Sequence, residues 1–179
     1  LLGIYKQIEK AGRVCYKSEQ NVSEGSAKPF VERMIAADHT AMLEHGTVYM
    51  TVKEGEQSDY YVRNRFSHVN IISHTAYITN KRMADLELLT ELSKHHERRV
   101  TVHFTTQVAV TREFNRHRAN SMAEQSTRYC NYGKNKFGGE ITVNLPEWVK
   151  NEPDYSQIPQ TTGTDQLKRL CKDMITAGE

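Results

Sequence analysis

Between Thr111 and Tyr129 the chain carries four arginines (Arg112, Arg116, Arg118 and Arg128), together with His117, the carboxylates Glu113 and Glu124, and the hydroxyls Ser121, Ser126 and Thr127. Arginine is the side chain whose planar fork matches a phosphate with two parallel hydrogen bonds, and hydroxyls complete a phosphate or sugar cradle. Glu124 and Gln125 add acceptors suited to a ribose or a base edge. On a helix Arg112 and Arg116 stand at i, i+4, where like charges repel unless an anion offsets them; Glu113, at i, i+3 from Arg116, offsets part of that repulsion. The mixture suits nucleotide recognition. A plainer reading makes Arg116-His117-Arg118 a helix end whose cations complement the macrodipole. Against it, the polar run continues for eleven residues beyond Arg118 without a lysine.

These residues need a scaffold. The spacing predicts a helix over about 107–118, with Thr105 or Thr106 as its N-cap. Val110, Phe114 and Arg118 fall at i, i+4, i+8 on it, so the apolar stripe runs into a guanidinium and Arg118 is expected at the mouth of a cleft. Leu1, Ile4, Tyr5, Ile8 and Ala11 recur at helical spacing, with Gly12 placed to close that helix. Gly25-Ser26 reads as the N-cap of a second helix, with Pro29 in its first turn, Phe30, Met34 and Ile35 on one face, and an end near Asp38. Three stretches alternate with period 2 and read as strands: Val48 to Val52, Val100 to Phe104, and Ile141 to Leu145, the last stopped by Pro146. The polar stretch 54–73 reads as loop. Asn80 is expected to cap a helix carrying Met83, Leu86 and Leu89 and ending in the charged run from Lys94 to Arg99. Thr164 is expected to cap a last helix bearing Leu167, Leu170, Cys171, Met174 and Ile175. Lys134, Lys136, Gly138 and Gly139 read as a turn. The class is α+β: a small mixed or antiparallel sheet packed with helices, in one domain over 1–179.

Composition bounds the rest. At 179 residues and 20.6 kDa, with 26% charged and 37% hydrophobic residues, the chain fits neither a disordered tail nor a membrane span. Lys and Arg exceed Asp and Glu by only 24 to 22, so bulk charge does not make a nucleic-acid coat. Cys15, Cys130 and Cys171 are odd in number and form no CxxC pair, which argues against a disulfide framework or a cysteine zinc site and suits a reducing cytoplasm. His95-His96-Glu97 reads as a solvated helix end, since adjacent histidines cannot share one metal from a regular helix; no metal site is expected. His39, His68, His74 and His103 are isolated. Tyr60-Tyr61 with Arg63 and Arg65 fits a nucleic-acid stacking strip and a surface loop equally well. A start at Leu1 without an initiator Met and a stop at Glu179 read as clipped ends.

Arg116-His117-Arg118, seven residues, then Ser126 and Thr127-Arg128-Tyr129 resembles the RHR(X)7S signature of the flavin-dependent thymidylate synthases, with no gap. The resemblance extends to Ala11-Gly12-Arg13-Val14-Cys15-Tyr16, similar to the family's early Arg-x-Cys/Ser-Tyr segment, and to Met42-Leu43-Glu44-His45-Gly46-Thr47, similar to its Glu-His stretch before a strand. Arg99 to Phe104 and Ile141 to Pro146 are similar to strands of that family. The resemblance covers roughly residues 1–178.

The resemblance implies an enzyme that converts dUMP to dTMP with methylenetetrahydrofolate as carbon donor, FAD as hydride carrier and NADPH as reductant. No cysteine nucleophile is implied. Matching positions make Ser126 and Arg128 catalytic. Flavin contacts fall on His45, Thr47, Arg116, His117, Arg118 and Glu124, with His45 and Thr47 reaching the flavin from a neighbouring subunit. The dUMP contacts fall on Glu113, Phe114, Asn115, Arg116, Glu124, Gln125, Ser126, Thr127 and Arg128. A cytoplasmic homotetramer with shared sites is implied, without nucleic acid or membrane as partner. Family chains begin with a further strand and continue into an Ala-Arg-x-x-Leu-Pro segment that this sequence does not contain, which implies a clipped fragment, inactive or very weak alone. The alternative is a non-catalytic nucleotide- or RNA-binding module using the same arginines.

Overall fold

Ile4, Ile8 and Ala11 turn one face of helix α1 (Leu2–Cys15) toward helix α2 (Ala27–Ala36) in a computed structural model that describes residues 1–117, 119–130 and 134, all within the compact unit Leu1–Ile141. The helix does not stop at Gly12. A Cβ there would lie 2.6 Å from the Phe30 ring, so the glycine permits close approach of the two helices rather than termination. Ser26 occupies the N-cap of α2, which buries Phe30, Val31 and Met34; Ile35 points outward, contrary to its expected place beside them. With Ile8, Met42 and Leu43 these residues make the helical core.

Beneath α1 and α2 the chain runs through a 3-10 turn, Thr40–His45, into strand β1 (Val48–Lys53), as the alternation predicts. The stretch expected to be loop is instead helix α3 (Glu56–Arg63) and strand β2 (Ser67–Ile72). Helix α3 escapes a periodicity reading because it buries only Ser58 and Tyr61. Its start depends on Gly55, whose φ of 149° is open to glycine, and on the Ser58 hydroxyl, which accepts from the Gly55 N–H at 3.0 Å and donates to the Gly55 carbonyl at 2.8 Å.

Strand β3 (Thr75–Asn80) lies between β1 and β2, antiparallel to both, with Val48 and Ser67 each in register with Asn80. One end of the sheet therefore gathers the residues just before Val48, just before Ser67 and just after Asn80. Val48, Met50, Val52, Tyr61, Ala76 and Ile78 form the sheet core, and Ile4 packs against both cores.

Asn80 ends a strand instead of capping a helix: its Oδ1 accepts the amides of Arg82 and Ala84 at 2.9 and 3.3 Å, turning the chain back. Leu86, Leu88 and Leu89 then pack on the sheet core from a short 3-10 turn. The Lys94 to Arg99 run is not a solvated helix end. His96 is buried, with Nε2 3.0 Å from the Met50 carbonyl, and the His95 ring lies 4.8 Å from that of Tyr77. Residues 100–107 form neither helix nor strand, and Val100 and Val102 are exposed. A strand there needs a free sheet edge, and that of β1 is taken: the Thr90 amide donates to the Tyr49 carbonyl at 2.8 Å and Leu89 bridges Met50.

Helix α4 (Val108–Phe114) is shorter than expected, with Gln107 rather than Thr105 or Thr106 at its N-cap. The described architecture is α+β. The expected strand at 141–145, the last helix, the turn near Gly138, Arg118 and the extent of a single domain to residue 179 fall outside the described residues. Among the described residues no helix is long and apolar enough to cross a membrane.

Candidate functional site

His45 and Thr47 flank Gly46 where the 3-10 turn enters β1, and with Gly3, Ile4 and Gln7 of α1 and Arg99 and Thr101 they line a cavity of about 310 Å³. Gly46 makes this junction possible: a Cβ there would meet Ile8 at 2.6 Å, Met83 at 2.7 Å and Ile4 at 3.0 Å. His45 is only 7% exposed, and among the described residues its Nε2 has no hydrogen-bond partner. Burial pushes its pKa below the usual 6.5, Arg99 adds to the fall and Glu44 opposes it, so a neutral imidazole faces the cleft at pH 7.

Arg99 holds the far wall. Its Nη1 donates to the Glu44 carbonyl at 3.0 Å and to Thr47 Oγ1 at 2.7 Å, and its Nη2 reaches Ser121 Oγ at 3.4 Å. Ser121 in turn donates to Glu44 Oε2 at 2.8 Å. Four residues from three distant stretches are thereby tied at the cleft.

A second cluster follows along the chain from Ser121. Both oxygens of Glu124 are held from α4 and its C-cap, one by the Thr111 hydroxyl and one by Asn115 Nδ2. The Cys15 thiol donates to the Glu124 carbonyl at 2.9 Å, and the Ser126 amide donates to the Cys15 carbonyl at 2.9 Å, so the end of α1 fixes the backbone on both sides of Gln125. Burial raises the Cys15 pKa, which keeps a thiol donor rather than a thiolate nucleophile. Ser126 Oγ accepts the Tyr129 amide at 3.0 Å, and no imidazole or carboxylate among the described residues bonds it.

The structure thus brings Asn115, Glu124 and Ser126 together, and His45 with Thr47, with Ser121 between the two groups. Of the other expected residues, Arg118 falls outside the described residues, and Glu113, Phe114, Arg116, His117, Thr127 and Arg128 are exposed. Arg116 and Glu113 form a pair at 3.5 Å, Phe114 lies 5.0 Å from the Phe104 ring, and Gln125 is half-buried. The sequence reading missed Arg99, which stands in a charged run and whose partners lie 22 to 55 residues away. The only local signal for it is its place directly before the Val100 to Phe104 alternation.

A larger hollow, about 570 Å³, runs along α3 beside Glu56, Asp59, Tyr60, Arg63 and Asn64. One helix and its end supply all its walls, whereas α1, the turn into β1 and the stretch 99–101 together line the cleft at His45.

No curated protein and no solved structure matches the chain. The family model described as thymidylate synthase complementing protein matches residues 87–178, which include Arg99, α4, the clasped Glu124 and the Arg116 to Ser126 spacing. The match takes in more than half of the sequence, and the function shared under that description is thymidylate synthesis. The chain belongs to the thymidylate synthase complementing protein family.

Proposed function

We propose that the chain is a flavin-dependent thymidylate synthase that methylates dUMP to dTMP, with methylenetetrahydrofolate as carbon donor and NADPH as reductant. The observation that carries this reading is His45: a buried, neutral imidazole whose Nε2 has no partner among the described residues and which shares a cleft with Thr47 and Arg99. A ring edge offering both donors and acceptors suits that nitrogen, because a neutral imidazole serves either role according to its tautomer. FAD fits this donor set, and when bound it supplies the hydride that reduces the transferred carbon.

The chain's own residues hold and orient. His45 and Thr47 take the flavin from one side, and Arg116, His117, Arg118 and Glu124 take it from the other, with the two groups contributed by different subunits of a tetramer. The exposure of Arg116 and His117 on this chain is consistent with that division. Arg116 and Arg128 hold the phosphate of dUMP with bidentate charge-assisted bonds, and Ser126 donates its hydroxyl to the same anion. Glu113, Phe114, Asn115, Gln125 and Thr127 flank the nucleotide. Glu124, clasped by Thr111 and Asn115, presents a fixed acceptor to the sugar or base. Cations aimed at the pyrimidine stabilise the negative charge that one-carbon transfer to C5 requires.

The test is direct. Protein purified from the complete gene in the presence of FAD is expected to show flavin absorbance and to release the C5 proton of dUMP when methylenetetrahydrofolate and NADPH are added. A colourless protein that leaves the C5 proton in place would overturn the reading.

A further inference from the structure

Three cations gather on one aromatic ring at the end of the sheet where His45 and Thr47 stand. The Arg65 and Arg82 guanidinium carbons lie 4.7 and 4.6 Å from the Phe66 ring centroid, and Lys81 Nζ lies 6.0 Å from it. Among the described residues none of the three forms an ion pair. Lys81 and Arg82 are half-buried, so their charges are less relieved by solvent than those of surface cations.

The arrangement is built by the backbone. The Lys81 amide donates to the Phe66 carbonyl at 2.9 Å, Asn64 Oδ1 accepts the Phe66 amide at 2.9 Å, and Asn80 Oδ1 accepts the Arg82 amide at 2.9 Å. Residues before β2 and after β3 are thereby latched to each other. Next to Arg82, the Met83 amide donates to the Gly46 carbonyl at 3.1 Å, and Gly46 separates His45 from Thr47. The cation cluster and the cleft thus share a single turn of backbone.

The three charges surround one ring with no carboxylate paired to any of them among the described residues, and the ring's quadrupole attracts them without neutralising them. An anion with several oxygens neutralises them. A nucleobase does not fit the same place: the cations lie against the ring, and Tyr61, which a stacking strip would need, is fully buried.

We propose that Arg65, Lys81 and Arg82 around Phe66 form an anion subsite that holds the acidic tail of a ligand whose reacting end lies at His45 and Thr47. The location of that reacting end rests on the function proposed above; the anion subsite itself does not. The ligand's chemistry is a chain of anionic oxygens, and two sources carry it: the glutamyl carboxylates of a folate and the phosphates of a nicotinamide dinucleotide.

Calorimetric titration of the full chain with a pentaglutamate peptide, and separately with pyrophosphate, tests the subsite without requiring turnover. At least one is expected to bind, and the double variant Arg65→Gln, Arg82→Gln is expected to weaken it about tenfold with an unchanged melting temperature. Should the double variant fold poorly, Lys81→Gln alone is expected to weaken binding about threefold and to lower its salt dependence. Preference for the peptide identifies the carboxylate tail, and preference for pyrophosphate the phosphate. Failure of both anions to bind, or binding indifferent to all three substitutions, overturns the subsite. In the flavin-loaded enzyme the double variant is expected to raise KM for the tail-bearing substrate and leave kcat unchanged; an unchanged KM overturns the link to the cleft. Anion binding that depends on these residues in a protein that takes up no flavin refutes the function proposed above and leaves the subsite standing.

Discussion

Arg99 Nη1 donates to Thr47 Oγ1 at 2.7 Å across 52 residues of sequence, and the same nitrogen reaches the Glu44 carbonyl at 3.0 Å. One guanidinium therefore sets the position of both residues that flank His45-Gly46.

Arg99→Ala is expected to lower stability by about 1.5–3 kcal/mol, because it strips charge-assisted bonds from partners that stay partly buried. Flavin affinity is expected to fall in parallel. Arg99→Lys should recover only part of both, since an ammonium lacks the fork that spans Thr47 and Ser121. Urea denaturation and flavin titration report the two effects. Full recovery by lysine would show that charge alone, without the fork, is what the site needs.

His45 predicts a pH dependence. Its pKa in the folded chain lies below the unfolded value of 6.5, so the unfolded state binds a proton first as pH falls. Its contribution to stability is complete above 6.5 and declines as the pH drops from there toward the lowered folded value. The melting temperature is expected to fall between neutral and mildly acid pH, and His45→Gln should flatten that slope. An identical slope in the variant would assign the dependence elsewhere.

Asn115 and Thr111 hold the two oxygens of Glu124. Asn115→Ala frees one of them on the exposed side, where water replaces the lost donor, so stability should move little. If Glu124 orients the nucleotide, kcat/KM for dUMP should fall roughly tenfold, equivalent to about 1.4 kcal/mol. Glu124→Gln keeps the shape and removes the charge, and is expected to fall further than Asn115→Ala.

Glu9 is buried within α1 and bonds Arg13 at 2.8 Å and the Ser26 hydroxyl at 2.8 Å, while Arg13 lies over the Phe30 ring at 4.8 Å. Glu9→Ala leaves a cation without its counterion inside the α1–α2 interface and is expected to cost about 3–5 kcal/mol. Replacing both Glu9 and Arg13 by leucine should cost much less. Equal losses in the two variants would mean that packing, and not the uncompensated charge, dominates.

How far the sequence can be read depends on where each element finds its partners. α1, α2 and β1 bury a periodic face, and periodicity finds them. α3 and β2 bury too few apolar side chains to print a pattern, with Ile71 and Ile72 of β2 exposed. Leu86 and Leu89 mimic helical spacing while packing on the sheet, because Met83 and Asp85 at positive φ turn the chain there. Alternation over Val100 to Phe104 marks a strand-compatible segment, but the adjoining sheet edge is already filled. At the site, the Arg116 to Ser126 spacing is local and therefore visible, and so is the pairing of His45 with Thr47. The role of Arg99 is created entirely by contacts between distant stretches, which no window of sequence contains.

Ile4 packs against the helical core and the sheet core, and also lines the cleft beside His45. A wall of the binding space is thus a keystone shared by both layers. Opening the cleft by displacing Ile4 must loosen both cores together, so the Gly46 amide, bonded to the Leu43 carbonyl, and the Met83 amide, bonded to the Gly46 carbonyl, are expected to exchange with solvent nearly as slowly as those of Val48 and Met50. A ligand seated there therefore gains a preorganised wall, and its binding should raise the melting temperature of the entire described unit rather than of one layer.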